Sequence, residues 1–349
     1  MFIINAERRT LESDSLLFEE SRKETGMEYK KLGRTGLKVS ALCMGTMQLG
    51  WSLNEDESQH ILSAAYDAGI NFIDTADIYS KWVDGNPGGI SETYIGNWIK
   101  QNKIPRDKLV IATKVRGEMG MGPNDQGLSR VHIMKAVEAS LRRLQMDYID
   151  LYQSHWTDDD TPIEETLRAF DDLVRQGKAR YVGASNYAAW ELIQALWTSD
   201  KYNLARYDSL QPHYNLIYRD EFERELRAVC QTYGLGVIPY SPLAGGFLTG
   251  KYRKNEPLPD SKRAEGRKRA MTEKNFELLY EMEAIALHRK ASLSQIALAW
   301  ILADPVITSP IIGATSIEQL NENLGALNVH LTEDERKTLD TMTAWKKED

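Results

Sequence analysis

Two cysteines in 349 residues, Cys43 and Cys230, and six histidines with no second His or Cys at ligand spacing leave little for a metal or a disulfide framework. No metal site is therefore expected, and two isolated thiols suit a reducing compartment, where they would be buried and inert. No apolar run approaches the ~20 residues of a membrane span, the longest comparable stretch being Ile296 to Ala303. The start through Gly26 is charged and lacks the apolar core of a secretory signal, so a cytoplasmic location is expected. A formal net charge of −8 opposes nonspecific attraction to nucleic acid or anionic lipid. The spaced glycines of a dinucleotide-binding first turn are missing, as is a Gly-x-Ser-x-Gly elbow. Gly245 to Lys251 fills the first seven positions of a phosphate-binding P-loop, but Tyr252 stands where a Ser or Thr hydroxyl should bind magnesium, which argues against nucleotide triphosphate hydrolysis.

What is present is repetition of short strand-like runs: Val39 to Thr46, Phe72 to Ala76, Leu109 to Val115, Tyr148 to His155, Ala179 to Asn186, Ser209 to Asn215, Leu235 to Leu243 and Thr308 to Thr315. The intervals mostly carry helical periodicity, as in Asp56 to Ala68, Ser129 to Leu144, Ile163 to Gln176, Tyr187 to Trp197 and Asp220 to Tyr233. Parallel βα units repeated in this way predict an α/β fold, a (β/α)8 TIM barrel, with an open doubly wound sheet as the alternative from periodicity alone. Met27 to Val39 reads as a β-hairpin placed to plug the barrel bottom, and the residues through Gly26 as a polar, mobile N-terminal extension, with Met27 a candidate natural start. Residues 27–349 are expected to form a single barrel domain. The interval between the seventh and eighth strands is long, with helices expected near Thr272 to His288 and Ser294 to Ala303, and it carries a basic loop from Lys251 to Arg269; long insertions at a barrel's top usually serve the site.

Four polar residues end strand-like runs. Asp74 and Tyr79 follow Phe72-Ile73, Lys114 follows Leu109 to Thr113, and His155 follows Ile149 to Ser154. Carboxyl ends of barrel strands carry catalytic groups. A phenol is too weak an acid at neutral pH unless a neighbouring ammonium stabilises its phenolate; a carboxylate holds that ammonium charged, and an imidazole orients the substrate oxygen or relays the proton. Each residue alone would equally suit a structural ion pair, and Asp77 and Asp150 compete with Asp74 for the carboxylate role. Together, in Asp74-Thr75-Ala76-Asp77-Ile78-Tyr79-Ser80, Thr113-Lys114 and Ser154-His155-Trp156, they resemble the catalytic tetrad of the aldo-keto reductase superfamily, whose spacing selects Asp74.

The resemblance runs from Met27 to the helix after Leu331, near the branch that includes channel β-subunit-like reductases. It implies NADPH bound in extended form, with NADH also possible, and hydride transfer to a small aldehyde or ketone. Tyr79 would be the general acid, Lys114 its pKa-lowering partner, Asp74 the counterion and His155 the orienting group. Gly45, Thr46 and Met47 match a segment touching the nicotinamide ribose. Ser185, Asn186 and Gln211 match the carboxamide holders, and amides and a hydroxyl do supply both donors and acceptors. Tyr240 matches the ring that stacks under the nicotinamide, followed by Ser241 and Leu243. The loop with Gly245, Leu248 and Lys251 would fold over the pyrophosphate. Gly313, Ala314, Thr315, Ser316, Gln319, Glu322 and Asn323 match the segment for the adenosine phosphate and adenine, at a helix N-terminus that favours phosphate. Ser316 and Gln319 also have the spacing of a plain capping box. One departure concerns charge: 313–323 contains no Lys or Arg, and Arg263, Arg267 or Arg269 would have to neutralise a 2′-phosphate. The same resemblance admits a cofactor-binding sensor or partner subunit with little turnover, and leaves monomer and homo-oligomer open. Trp51, Trp82 and Trp156 are candidate walls of an aromatic substrate pocket, and the loop Arg116 to Gly127 is expected to shape it.

Overall fold

The computed structural model describes residues 26–345, so the extension expected up to Gly26 lies almost wholly outside the described residues. A two-stranded antiparallel hairpin comes first, β1 (Tyr29–Lys31) with β2 (Lys38–Ser40). Eight parallel strands follow: β3 (Cys43–Gly45), β4 (Phe72–Asp74), β5 (Val110–Val115), β6 (Ile149–Ser154), β7 (Ala179–Ser185), β8 (Tyr207–Gln211), β9 (Gly236–Val237) and β10 (Ile311–Ile312). They are hydrogen-bonded in the order β10-β3-β4-β5-β6-β7-β8-β9. The two outermost members meet through parallel bridges Val237 to Ile307 and Tyr240 to Ile311, which bend the sheet round on itself into a (β/α)8 barrel.

Most connections are helical, as the 3.6-residue periodicity requires. The helices are α1 (Glu55–Asp67), α2 (Ile90–Gln101), α3 (Arg130–Leu144), α4 (Ile163–Arg175), α5 (Ala189–Tyr202), α6 (Arg227–Tyr233), α7 (Glu273–Arg289), α8 (Leu293–Leu302), α9 (Ile317–Gly325) and α10 (Glu333–Met342). Their starts are fixed chemically: reciprocal capping boxes join Asn54 to Glu57, Ser292 to Gln295 and Thr332 to Glu335. No described helix is long and apolar enough to cross a membrane.

Several expected strands are shorter, shifted or divided: Phe72 to Ala76 ends at Asp74, and Ser209 to Asn215 is found as Tyr207–Gln211. Val39 to Thr46 splits at Ala41-Leu42, its first part pairing in the hairpin and its second opening the barrel. Leu235 to Leu243 keeps only Gly236–Val237, and Thr308 to Thr315 only Ile311–Ile312. Pro239, Pro242 and Pro310 interrupt these runs, and a proline offers no N–H to a ladder. Helix α2, after the glycines at 85, 88 and 89, was not among the expected elements.

Side-chain alternation separates the barrel interior into two levels. Phe72, Val110, Ala112 and Leu151 point inward at the lower ends of their strands, and with Cys43, Ile238 and Ile311 they enclose Leu32 and Val39 of the hairpin, both fully buried. The hairpin thus plugs the amino ends. Two residues further along the same faces come Asp74, Lys114 and Gln153, so the apolar floor gives way to polar groups at the carboxyl ends.

Candidate functional site

Lys114, completely buried in β5, uses all three of its ammonium protons. They go to Asp74 Oδ2 at 2.6 Å, the Thr75 carbonyl at 2.8 Å and the Tyr79 hydroxyl at 3.1 Å. The other Asp74 oxygen accepts from Gln211 Nε2 at 2.8 Å and Gln153 Nε2 at 3.2 Å. Tyr79 is brought over the barrel mouth by the turn that follows β4, its N–H bonded to the Ala76 carbonyl. His155 sits one residue beyond β6, its N–H on the Val115 carbonyl and its ring stacked on Trp156 at 3.8 Å. The Tyr79 and His155 ring centroids lie 6.1 Å apart.

The electrostatics are set by burial and by the lysine. Burial works against the charge of Lys114, but Asp74 and Tyr79 more than offset it and hold the ammonium above the ordinary lysine value. Burial likewise raises the Tyr79 phenol; Lys114 pulls it down, but the net direction is up, opposite to the lowering expected from the lysine alone. Burial, then Lys114 and Arg116, presses His155 well below its usual value, so the imidazole is neutral, and its Nδ1 has no hydrogen-bond partner among the described residues.

Asp74, Tyr79 and His155 border a cleft of about 830 Å³, while Lys114 is fully buried and does not line it. On one side it is bordered by Gly45, Thr46 and Met47 from the end of β3, and on another by Ser185, Asn186, Gln211, Tyr240, Ser241, Leu243 and Gly245. Gly313, Ala314, Thr315, Gln319, Glu322 and Asn323 border it as well, as do Lys251 and Arg263. The turn after Tyr240 is conformationally costly: Ser241 and Ala244 take positive φ, followed by Gly245 and Gly246 at 64° and 95°. Asn186, itself at φ 58°, gives its amide protons to the His155 carbonyl and the Ser185 hydroxyl and accepts from the Tyr240 hydroxyl.

The basic loop divides by pairing. Arg253, Lys254 and Lys268 face outward on Glu283, Glu273 and Glu265. Lys251, Arg263 and Arg267 have no carboxylate partner among the described residues. Burial and then Arg263 lower the affinity of Lys251 for its proton, and burial and then Arg267 lower that of Arg263. Arg267 lies against Gly245 with its buried Nε unpartnered. An unpaired cationic cluster on a deep cleft is a fit for phosphate.

Several expected residues are placed elsewhere. Leu248 is fully buried beneath the cleft and does not border it, because the turn directs it into the core. Ser316 caps α9, accepting from Gln319 N, while the Gln319 side chain accepts from Thr315 N and Oγ1; the capping geometry takes the Ser316 hydroxyl away from the cleft. Trp51 packs edge-on against Trp82 and under Arg263 without lining the cleft, whereas Trp82 and Trp156 line it and are 46% and 41% exposed. The loop 116–127 does not border the cleft either; Arg116 Nε holds the Thr157 carbonyl and Gly127 N the Arg116 carbonyl, which turns the loop back on β6. Gln153 and Gln48 were not singled out by the sequence, and Lys262, which also lines the cleft, was named only as part of the basic loop. Gln153 shares the inner face with His155 two residues on, which alternation alone would have revealed. Gln48 ties the Gly45 and Ala314 carbonyls together, a contact between distant segments that no local pattern signals.

A model of the aldo/keto reductase family matches residues 41–344. An uncharacterized oxidoreductase of Bacillus subtilis (strain 168) is 41% identical over 310 residues, spanning 87% of this chain and 92% of that protein. A probable voltage-gated potassium channel subunit beta of Oryza sativa subsp. japonica is 38% identical, with the same coverage of 87% and 92%. An aldo-keto reductase of Alternaria alternata is 36% identical across 97% of each chain.

Proposed function

The chain belongs to the aldo/keto reductase family, and from that premise we propose that it reduces an aldehyde or ketone to the alcohol, with NADP(H) as the favoured cofactor, as one cytoplasmic reductase unit over residues 27–349. The observation that carries this reading is the hydrogen-bonded line Tyr79–Lys114–Asp74 at the cleft beside a neutral His155. The nicotinamide, when bound, supplies a hydride to the carbonyl carbon. Tyr79 gives its phenolic proton to the carbonyl oxygen, and its raised pKa keeps that proton available at neutral pH. Lys114, held charged by Asp74, then stabilises the phenolate left behind. His155 orients the oxygen, and Trp82 and Trp156 flank the entering substrate. Tyr240 supports the nicotinamide face, Ser185, Asn186 and Gln211 meet its carboxamide, and Lys251 with Arg263 supplies the positive charge that 313–323 lacks.

A second reading draws on the channel-subunit name of one relative: a partner subunit that retains cofactor and turns over little. Tyr79→Phe decides between them. For a reductase, the variant should bind NADPH within about twofold of wild type while kcat/KM on a panel of aldehydes and ketones falls on the order of 10²–10⁴-fold, the usual worth of a general acid. Negligible turnover by the wild type, with cofactor tightly bound, would favour the partner reading, and no binding of either nicotinamide cofactor would remove both.

A further inference from the structure

We infer that His213 is a positioning residue for the cofactor: clamped between Tyr218 and Tyr240, it fixes from behind the plane of the ring on which the nicotinamide lies. The inference rests on the reading of Tyr240 as the nicotinamide platform, and adds to it what holds that platform in place.

The clamp is built by the backbone. Beyond the end of β8 the chain continues through Pro212 to His213, which forms a parallel bridge with Tyr240, and Tyr240 N donates to the Pro212 carbonyl at 3.0 Å. Register therefore places the two rings side by side, 5.0 Å apart and 9° from parallel. The chain then reverses at once. Asn215 and Tyr218 exchange backbone hydrogen bonds of 3.2 and 3.1 Å, and Ile217 N donates to Asn215 Oδ1 at 3.0 Å. This turn lays Tyr218 on the other face of His213, 4.0 Å away and inclined by 27°. Asn215 Nδ2 reaches across to the Ser241 carbonyl at 3.0 Å, with His213 Nε2 3.4 Å from the same nitrogen, so the turn is also tied to the residue after Tyr240. The Tyr218 hydroxyl is anchored on the Glu221 side chain.

His213 does not border the cleft, so its effect passes through Tyr240. Tyr240 in turn donates its hydroxyl to Asn186, whose amide holds the carbonyl of His155. A ring that tilts at 240 therefore disturbs both the surface under the nicotinamide and the strand end that presents the imidazole to the substrate oxygen. Burial and then Arg267 lower His213 to about 4, so at neutral pH the layer is an uncharged flat ring. Flatness is the property the three-ring stack uses, since offset stacked rings keep one another close to parallel where an aliphatic side chain of similar volume does not.

Three substitutions separate positioning from mere filling: His213→Phe keeps a flat ring, His213→Leu keeps volume without one, and His213→Ala removes both. In each full-length protein, folding is checked by circular dichroism. NADPH affinity is measured by fluorescence titration, and single-turnover hydride transfer is followed from NADPH to 4-nitrobenzaldehyde. His213→Ala and His213→Leu should each weaken NADPH about tenfold and slow the transfer step about tenfold, while His213→Phe stays within about twofold on both. Equal performance of His213→Leu and His213→Phe would overturn the inference, because space-filling alone would then suffice, and so would an unaffected or an unfolded-but-otherwise-unrescued series in which His213→Phe fares no better than His213→Ala. If the wild type neither binds NADPH nor turns over, the platform reading itself fails and takes the inference with it; if the wild type does both and the variants match it, only the clamp fails.

Discussion

Asp77 lies three residues beyond Asp74, yet the two carboxyls live under opposite conditions. Asp74 accepts from Lys114, Gln153 and Gln211. Asp77 is equally buried, and neither of its oxygens has a partner among the described residues. Burial, reinforced by the carboxylate of Glu92, raises Asp77 to about 8, against the lowering pull of Arg143. The folded protein therefore binds this proton more tightly than the unfolded chain, whose value is 3.8. The stability linked to it is complete below the unfolded value and is lost as pH rises from about 4 through about 8. Asp77→Asn, which keeps the shape and cannot ionise, should gain thermal stability over wild type progressively from pH 5 to pH 8, reaching on the order of a few kcal/mol, since each pKa unit is worth about 1.4 kcal/mol. Melting curves of both proteins across that range check it; a constant difference would show that Asp77 does not titrate in the fold. Both residues were candidates in the sequence, where residue type left them open and only the spacing of the resembling family favoured Asp74. What separates them is direction: Asp74 shares the inner face of β4 with Phe72, and Asp77 has left the strand.

At the scale of elements, long runs were legible and short ones were not. β5 and β6 each keep six buried residues, matching the expected Leu109 to Val115 and Tyr148 to His155 within one position at each end. Five of the expected helix intervals, Asp56 to Ala68, Ser129 to Leu144, Ile163 to Gln176, Thr272 to His288 and Ser294 to Ala303, have observed limits within one residue. β9 and β10 shrink because prolines remove their donors, a cost visible in the sequence but not its extent. The 220–233 interval contains a wider turn at Phe222–Leu226 before α6, which periodicity does not distinguish from a regular helix. The hairpin offers a test of how an element is held. Gly33, at φ 56°, would place a Cβ 2.4 Å from Gly236 N and 2.5 Å from the Gly234 carbonyl, at the lower end of β9. Gly33→Ala should therefore cost at least about 2 kcal/mol, from backbone strain plus a contact with main chain that cannot give way. Denaturant unfolding measures this, and a loss below about 0.5 kcal/mol would mean that the hairpin rides on the barrel without plugging it.

For the whole molecule, the net charge of −8 has to be reconciled with the phosphate-bearing cofactor proposed for the cleft. Long-range repulsion would oppose a dinucleotide phosphate, but a cluster of unpaired cations in a cleft with low-dielectric walls focuses the field locally and dominates at short range. The sequence disclosed the basic loop without showing which of its charges remain free. Pairing decides: Lys254 is neutralised by Glu273, whereas Arg263, which lines the cleft and lies over the Trp51 ring behind it, has no carboxylate among the described residues. A charge-assisted hydrogen bond is worth about 1.5–3 kcal/mol, or roughly ten- to a hundredfold in affinity. Arg263→Ala should accordingly raise the Kd for NADPH by that factor, change that for NADH less than about threefold, and flatten the salt dependence of NADPH association. Lys254→Ala, removing a charge already spent on a neighbour, should leave all three quantities near wild type. Titrations of both cofactors at two ionic strengths supply the comparison. Equal losses for NADPH and NADH would place Arg263 on a part common to the two cofactors, such as the pyrophosphate, and would leave the preference for a 2′-phosphate without a residue in the basic loop to carry it.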